Sequence, residues 1–213
     1  MWLNILLIAV AYLLGSVPSA VWIGRRFYKV DVREHGSHNA GATNTLRVLG
    51  RRAALPVFLL DFTKGTAALA LAWLAGYPNR SPQMFNLEIA LVAAAVLGHM
   101  FPIFANFRGG KGVATLAGSL LAMQPLAVLI CFGIFVVVFA ISKYVSLSSI
   151  TAGICFPFVM YFAGGVRYVP MVVFSIVIAV LIVVTHAKNI KRLINRTESR
   201  TYIFNRKSNG CGL

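Results

Sequence analysis

Residues 36–47 read GSHNAGATNTLR and form a polar, glycine-bearing stretch between two strongly hydrophobic segments. Gly36 and Gly41 allow backbone angles that turn successive N–H groups inward, which is how a backbone builds an anion-binding concavity. Side-chain hydroxyls, amides and one guanidinium add further donors, and they belong to Ser37, Asn39, Thr43, Asn44 and Arg47. By itself the stretch fits two interpretations, a cradle for phosphate and a solvated connector, because glycine-rich loops are common.

The composition is that of an integral membrane protein. Of the 213 residues, 59% are hydrophobic and 12% are charged, and the mean hydropathy is +0.80. A soluble domain has about 25% charged residues, so the chain is too apolar for that class. The repeated apolar runs predict several membrane spans. The first run lacks a basic flank, so we expect no cleavable signal peptide.

Seven apolar segments divide the chain, at about 3–23, 53–74, 87–107, 113–123, 126–142, 150–163 and 169–185. We therefore predict an all-α polytopic fold of seven transmembrane helices in a single domain, residues 1–213. The fourth segment has eleven residues, which cover only about 17 Å as a helix. It needs polar ends or a thinned bilayer to cross.

The distribution of Lys and Arg predicts the orientation. With the N-terminus outside and the C-terminus in the cytoplasm, seven basic residues of the first loop, two of the second, one of the third and seven of the tail lie inside. That is 17 of 20, while Arg80 and Arg167 lie outside and Lys64 lies within a span. The tail from about residue 188 is then a basic cytoplasmic segment. The four polar, glycine- or serine-bearing segments that carry these 17 residues emerge on one face, which favours a binding site over chance solvated turns.

Charge and residue types also exclude several function classes. The net charge of +15 is explained by topology and by anionic headgroups, so we expect membrane lipid and no nucleic acid as a partner. The five carboxylates are scattered, so we predict no metal site. They are Asp31, Glu34, Asp61, Glu88 and Glu198. The three cysteines show neither metal-ligand spacing nor a disulfide framework, and they are Cys131, Cys155 and Cys211.

Other polar residues are candidates for the site. Lys111 lies among Gly109, Gly110 and Gly112, which favours ligand binding over a simple topological anchor. His186 and Asn189 are spaced i, i+3 at the end of the last segment and would share a helix face.

Asp61 and Lys64 share a face inside the second segment, where a functional role and a structural ion pair are equally good explanations. We expect His99 to satisfy a buried hydrogen bond.

Three motifs together resemble the acyl-phosphate:glycerol-3-phosphate acyltransferase (PlsY) family of bacterial inner membranes. They are residues 36–44 with Arg47 following, residues 107–115 (FRGGKGVAT) and residues 186–193 (HAKNIKRL). Their order and topological placement match the family over nearly the whole chain. Two positions depart from its pattern. His38 stands where the family commonly has glycine, and Arg196 stands where glycine often follows the third motif. The first departure is expected to affect loop flexibility.

The resemblance implies transfer of a fatty acyl group from acyl phosphate to the sn-1 hydroxyl of glycerol 3-phosphate, with lysophosphatidic acid and phosphate as products. This is the first acylation of bacterial phospholipid synthesis, without a cofactor, at an inner-membrane site facing the cytoplasm. A soluble enzyme that makes acyl phosphate is an expected partner. The implied catalytic residues are Ser37, Arg47, Lys111, His186 and Asn189. The implied substrate-binding residues are Gly36, Asn39, Gly41, Thr43, Asn44, Gly109, Gly110 and Ser146.

The alternative function is a small anion or lipid transporter, since basic loops around a short helix also suit a permeation path. Broken helices with charges near the midplane would favour transport, whereas here most polar groups lie at one interface. For the proton of the attacking hydroxyl, we place the leaving phosphate first and His186 second as acceptor. No His-x4-Asp pair occurs, so the dyad of thioester-dependent glycerolipid acyltransferases is missing and coenzyme A is not expected.

Overall fold

The computed structural model describes residues 2–202. Arg206, Lys207 and Cys211, which belong to the predicted basic tail or to the cysteine count, lie outside these residues. Within the described range every regular element is helical. The α-helices are α1 Trp2–Gly15, α2 Ser19–Ile23, α3 Ala42–Leu49, α4 Arg51–Ala70, α5 Pro82–Met100, α6 Val113–Met123, α7 Pro125–Ser142, α8 Val145–Phe162, α9 Val169–Thr185 and α10 Ala187–Ile194. Short 3₁₀ or π turns occupy Gly24–Tyr28, Val32–Glu34, Leu71–Ala75 and Ile103–Ala105.

All seven predicted segments are helical, and they differ in length. Five stretches are long and apolar enough to cross a membrane: Trp2–Tyr28, Arg51–Ala75, Pro82–Ala105, Pro125–Ser142 and Val145–Phe162. The pair α9 and α10, bent by 57°, would make a sixth. The short helix α6 has the eleven residues that the sequence predicted. The chain is therefore a multi-pass membrane protein with five or six spans of ordinary length.

Three predicted boundaries are wrong in detail. The first segment is broken between α1 and α2, because Pro18 has no N–H to continue the ladder. The third segment was predicted to reach Phe107, but α5 ends at Met100, two residues before Pro102. The sixth segment was predicted to begin at about residue 150, but α8 begins at Val145, so Ser146 lies in its first turn.

Reciprocal glycines bring the helices close together. A Cβ on Gly15 of α1 would lie 2.1 Å from the Ala95 carbonyl oxygen, and one on Gly98 of α5 would lie 2.2 Å from the Tyr12 carbonyl oxygen. Helices α4 and α6 meet in the same way: a Cβ on Gly118 would lie 2.0 Å from the Phe62 carbonyl oxygen. Such backbone-to-backbone approach is typical of small residues in membrane helix packing. It fixes the ends of these helices, and so the loops that follow them.

The polar connections meet at one end of the helix bundle. They are the stretches 29–50, 101–112, 143–146 and 186–202. Side-chain or backbone hydrogen bonds join them, running from Arg33 to Ala105 at 2.8 Å, from Arg47 to Ser199 at 3.2 Å and from Thr201 to Lys143 at 2.8 Å. The predicted convergence of these connections is therefore present in the fold.

Candidate active site

Asn44 holds the first glycine-bearing loop in shape. Its side-chain oxygen accepts the Ser37 N–H at 2.8 Å, and its amide group donates to the carbonyls of Val32 at 2.7 Å and His35 at 3.1 Å. Gly36 adopts φ +63, and a Cβ there would come within 2.5 Å of the Asn44 side-chain oxygen. The buried Asn44 amide is therefore engaged inside the loop, and its role as a ligand donor stays a prediction.

The loop leads into α3. The backbone N–H groups at the start of this helix are hydrogen-bond donors, whereas the Asn44 amide is engaged within the loop. Gly41 is extended and precedes the first helical residue, Ala42. The first N–H groups of a helix have no partner within that helix and favour an anion. Three polar side chains stand half-buried around this end of α3, and they are Ser37, Asn39 and Thr43. Arg47 lies one turn beyond Thr43, on the same face of the helix.

Both departures from the family pattern fall at left-handed backbone positions. His38 has φ +59 and Arg196 has φ +56. Glycine takes this conformation freely, whereas other residues lose about 1–2 kcal/mol. The His38 ring partly offsets that cost, because its Nδ1–H donates to the Arg33 carbonyl at 3.1 Å. The loop therefore keeps the glycine-type conformation with a larger side chain.

Gly109 and Gly110 pack against the C-terminal end of α5. Their N–H groups donate to the carbonyls of Met100 and His99, each at 3.1 Å. A Cβ on Gly109 would lie 2.0 Å from the His99 carbonyl oxygen, and one on Gly110 would lie 2.2 Å from His99 Nε2. The two glycines let the loop pack on the end of α5, and their role in substrate binding stays a prediction. Lys111 follows directly.

Lys111 reaches the third motif, where its ammonium donates to the side-chain oxygen of Asn189. Burial lowers the pKa of Lys111 to about 8, with Arg192 and Arg47 acting in the same direction and Glu198 opposing them. A lysine in this state is a partly desolvated cation, which gains strongly when an anion arrives. The sequence prediction joined Lys111 and Asn189 to one site, and the structure places them in contact.

The carboxylate of Glu198 lies at the centre of this site. One oxygen accepts from Ser146 Oγ at 2.8 Å and from Asn189 Nδ2 at 2.7 Å, and the other accepts from Arg192 Nε at 2.6 Å. Burial opposes its ionisation, but the hydrogen bonds from Arg192, Asn189 and Ser146 prevail and hold the pKa of Glu198 below its ordinary value. This side chain is 1% exposed.

Sequence reasoning missed Glu198 as a site residue and counted it only among the scattered carboxylates. One signal was available: Glu198 is the only carboxylate of the basic tail. Its partners come from α8 and α10, with Arg47 of α3 nearby, so the tertiary fold was needed to reveal their meeting.

The Arg47 guanidinium has an N–H group that makes no hydrogen bond to the residues that the structure describes. Its Nη2 donates to the Ser199 carbonyl at 3.2 Å and stands 3.9 Å from the nearer Glu198 oxygen. Its Nε is buried and has no hydrogen-bond partner among the residues that the structure describes. Because a buried, unpaired guanidinium N–H is costly, this atom is an open position for an anion.

His186 is oriented by the helix that it ends. Its Nδ1–H donates to the Ile182 carbonyl at 2.8 Å, and the residue is 3% exposed. The neutral ring then carries its lone pair on Nε2. His186 precedes α10, which carries Asn189 one turn further on.

The arrangement brings two cations from different parts of the chain together. Arg47 stands 3.9 Å from the Glu198 carboxylate, and Lys111 contacts Asn189, which together with Ser146 donates to that carboxylate. Among residues 2–202 no group of three or more His, Cys, Asp or Glu side chains is placed to hold a metal ion. Binding by charged and hydrogen-bonding side chains is what the arrangement offers to a phosphate.

Known proteins share this sequence and fold. The glycerol-3-phosphate acyltransferase family matches residues 5–196. The glycerol-3-phosphate acyltransferase of Salinibacter ruber is 42% identical over 96% of this chain and 95% of its own, and that of Enterococcus faecalis is 44% identical over 92% and 91%. A crystal structure of PlsY, an integral membrane glycerol 3-phosphate acyltransferase, in its glycerol 3-phosphate form has a TM-score of 0.83 at 38% identity. The alignment covers 93% of this chain and 96% of that one. With these matches and the geometry above, the chain belongs to the glycerol-3-phosphate acyltransferase family.

Proposed function

We propose that this protein transfers a fatty acyl group from acyl phosphate to the sn-1 hydroxyl of glycerol 3-phosphate, and that it releases lysophosphatidic acid and phosphate. The observation that carries the proposal is the approach of Arg47 and Lys111 to the Ser146–Asn189–Glu198 cluster. Crystal structures of the related PlsY are of its glycerol 3-phosphate form and its lysophosphatidic acid form, which supports the same acceptor and product here.

Two phosphate groups must be held at once, and the site has two sets of donors. Ser37, Asn39, Thr43 and the free N–H groups of α3 would hold the acyl-phosphate head. Ser146, His186 and Asn189 would hold glycerol 3-phosphate. Arg47 and Lys111 would neutralise charge on both, and Arg47 has a buried donor still unpaired.

The reaction needs positioning and charge stabilisation more than activation. Acyl phosphate is a mixed anhydride, so the glycerol hydroxyl attacks its carbonyl carbon and the carbon–oxygen bond to phosphate breaks. The leaving phosphate takes the hydroxyl proton. The residues that hold the two substrates supply orientation and electrostatic stabilisation. The lone pair of His186 Nε2 makes this residue the second choice as proton acceptor.

The membrane arrangement is part of the proposal. In this arrangement α6 is one of seven spans, the N-terminus is outside, and the connections that carry most of the Lys and Arg residues lie in the cytoplasm. The site then lies on the cytoplasmic face of a bacterial inner membrane. There the site would draw one substrate from lipid and the other from water. A soluble enzyme that makes acyl phosphate would be the partner that supplies it. The transporter alternative is less well supported, because the polar cluster lies at one end of the bundle.

The first test separates direct transfer from an acyl-enzyme. Purified protein should release phosphate from palmitoyl phosphate only when glycerol 3-phosphate is added. In its absence, intact mass measurement should show no stable adduct on Ser37, since a serine nucleophile needs a base held in reach. An adduct that glycerol 3-phosphate removes at the turnover rate would replace direct transfer by a ping-pong mechanism. Loss of turnover in chelator, restored by magnesium, would contradict the metal-free chemistry.

A second test concerns topology. Reporter fusions at Arg80 and Arg167 should read as external, and fusions at Lys143 and after Glu198 should read as cytoplasmic, because the basic connections stay inside. A cytoplasmic reading at either external position would overturn the seven-span arrangement.

The third test removes one cation at a time. Arg47→Ala and Lys111→Ala should each lower kcat/KM by ~10-fold to ~150-fold, since a charge-assisted hydrogen bond contributes about 1.5–3 kcal/mol. Arg47→Lys should also be poor, because a point charge cannot reproduce the planar fork. Lys188→Ala, which removes an exposed charge on α10, is the matched control and should retain the rate. Near-normal rates for both alanine variants in folded protein would show that the site is drawn wrongly.

The pH dependence provides a fourth test. Lys111 binds phosphate as the ammonium, and its pKa is lowered to about 8. Its charged form is present below that value and is lost above it. A plot of log kcat/KM for glycerol 3-phosphate should therefore fall as pH rises through about 8. In Lys111→Arg the guanidinium stays charged, so the residual activity should lose this alkaline limb. An identical limb in that variant would assign the titration to another group.

A further inference from the structure

A buried polar network lies inside the helix bundle, and the proposed chemistry does not use it. It consists of Ser19 of α2, Asp61 and Lys64 of α4, and His99 of α5, all of which are buried. One Asp61 oxygen accepts from Ser19 Oγ at 2.5 Å and from Lys64 Nζ at 2.8 Å, and it stands 3.5 Å from His99 Nδ1. The network thus joins three helices through one carboxylate oxygen.

The groups of this network are occupied by one another. Lys64 Nζ also donates to the Val17 carbonyl at 2.9 Å, at the break between α1 and α2. An ion pair in the interior is retained only when its charges are paired and hydrogen-bonded, as they are here. A small pocket is lined by the network residues together with Ala40 and Gly109, so the network borders both of the loops that carry these two residues.

The network supports the loop that carries Lys111. The His99 ring lies directly beneath Gly110, whose missing Cβ would be 2.2 Å from Nε2 and 3.0 Å from the Ala40 carbonyl oxygen. The carbonyl of His99 also accepts the Gly110 N–H at 3.1 Å. The first loop and the glycine loop thus meet over this one side chain. Lys111 is the next residue after Gly110, and no flexible linker separates them.

We propose that Asp61 and His99 are positioning residues for Lys111. Asp61, held by Ser19 and Lys64, fixes the ring of His99. The ring then sets the height and direction of the Gly109–Gly110 backbone, so that the Lys111 ammonium reaches Asn189. This inference rests on the proposed function, since it takes Lys111 to be a phosphate-binding cation. Sequence analysis left a functional role and a structural ion pair open for Asp61 and Lys64. In this proposal they form an ion pair that positions Lys111 through His99.

A double-mutant cycle tests the proposal in the full-length protein in detergent. His99→Leu should lower kcat/KM by about 10-fold or more, because small misplacements of a catalytic group are costly. In the Lys111→Ala background the same change should alter kcat/KM by less than about 2-fold, since the group that it positions is gone. Asp61→Asn should show the same pattern, and it keeps the volume of the side chain if His99→Leu does not fold.

A purely structural role predicts a different result. Thr66→Val is the matched control: it removes another hydrogen bond of α4, from Thr66 Oγ1 to the Gly118 carbonyl at 3.0 Å. It should lower the unfolding temperature and should have the same effect on kcat/KM with and without Lys111. Equal fold-losses for His99→Leu and Asp61→Asn in both backgrounds would overturn the positioning role while leaving the proposed function intact. A normal rate for Lys111→Ala alone would overturn the proposed site, and this inference with it.

Discussion

The architecture of the site depends on one buried carboxylate, Glu198, set among cations. It is bound by Ser146, Asn189 and Arg192 and lies near Arg47. Removing such a charge from water is unfavourable unless hydrogen bonds and opposite charges replace the solvent. Those bonds in turn orient Asn189, whose side-chain oxygen meets Lys111. An excess of positive charge remains around the carboxylate, and a phosphate dianion is the ligand that such a surplus favours.

Backbone contacts place the loops that carry these charges. The glycines of α1, α4, α5 and α6 let pairs of helices touch through their main chains, and at the end of α5 the same device seats Gly109 and Gly110 on His99. In a bilayer, where lipid tails are as apolar as the helices, close packing of this kind replaces the hydrophobic effect as the main source of helix association. The positions of the loops that carry the site therefore depend on the backbone contacts between these helices.

Side-chain chemistry and loop shape are divided between different residues of the same motifs. Asn44, Gly36, Gly109 and Gly110 maintain the loops, whereas Arg47, Lys111 and Asn189 extend from them toward the anion site. A linear motif does not distinguish the two groups, because both are needed for the same geometry. His38 shows that the loop conformation is kept even when the residue type changes: its backbone is left-handed, although the family commonly has glycine at this position.

The sequence alone determined the membrane class, the helical segments and the residues of the three motifs, because hydropathy and the chemistry of Lys, Arg and Gly are local properties. It also predicted that the polar connections converge. The tertiary structure decided which motif residues hold the loops in shape through internal hydrogen bonds and packing. It also brought Glu198 into contact with Ser146 and Asn189. It also showed that Asp61 and Lys64 form a network with His99. These partners lie far apart in the chain or on different helices, so their contacts follow from helix packing, and no periodicity or local spacing encodes them.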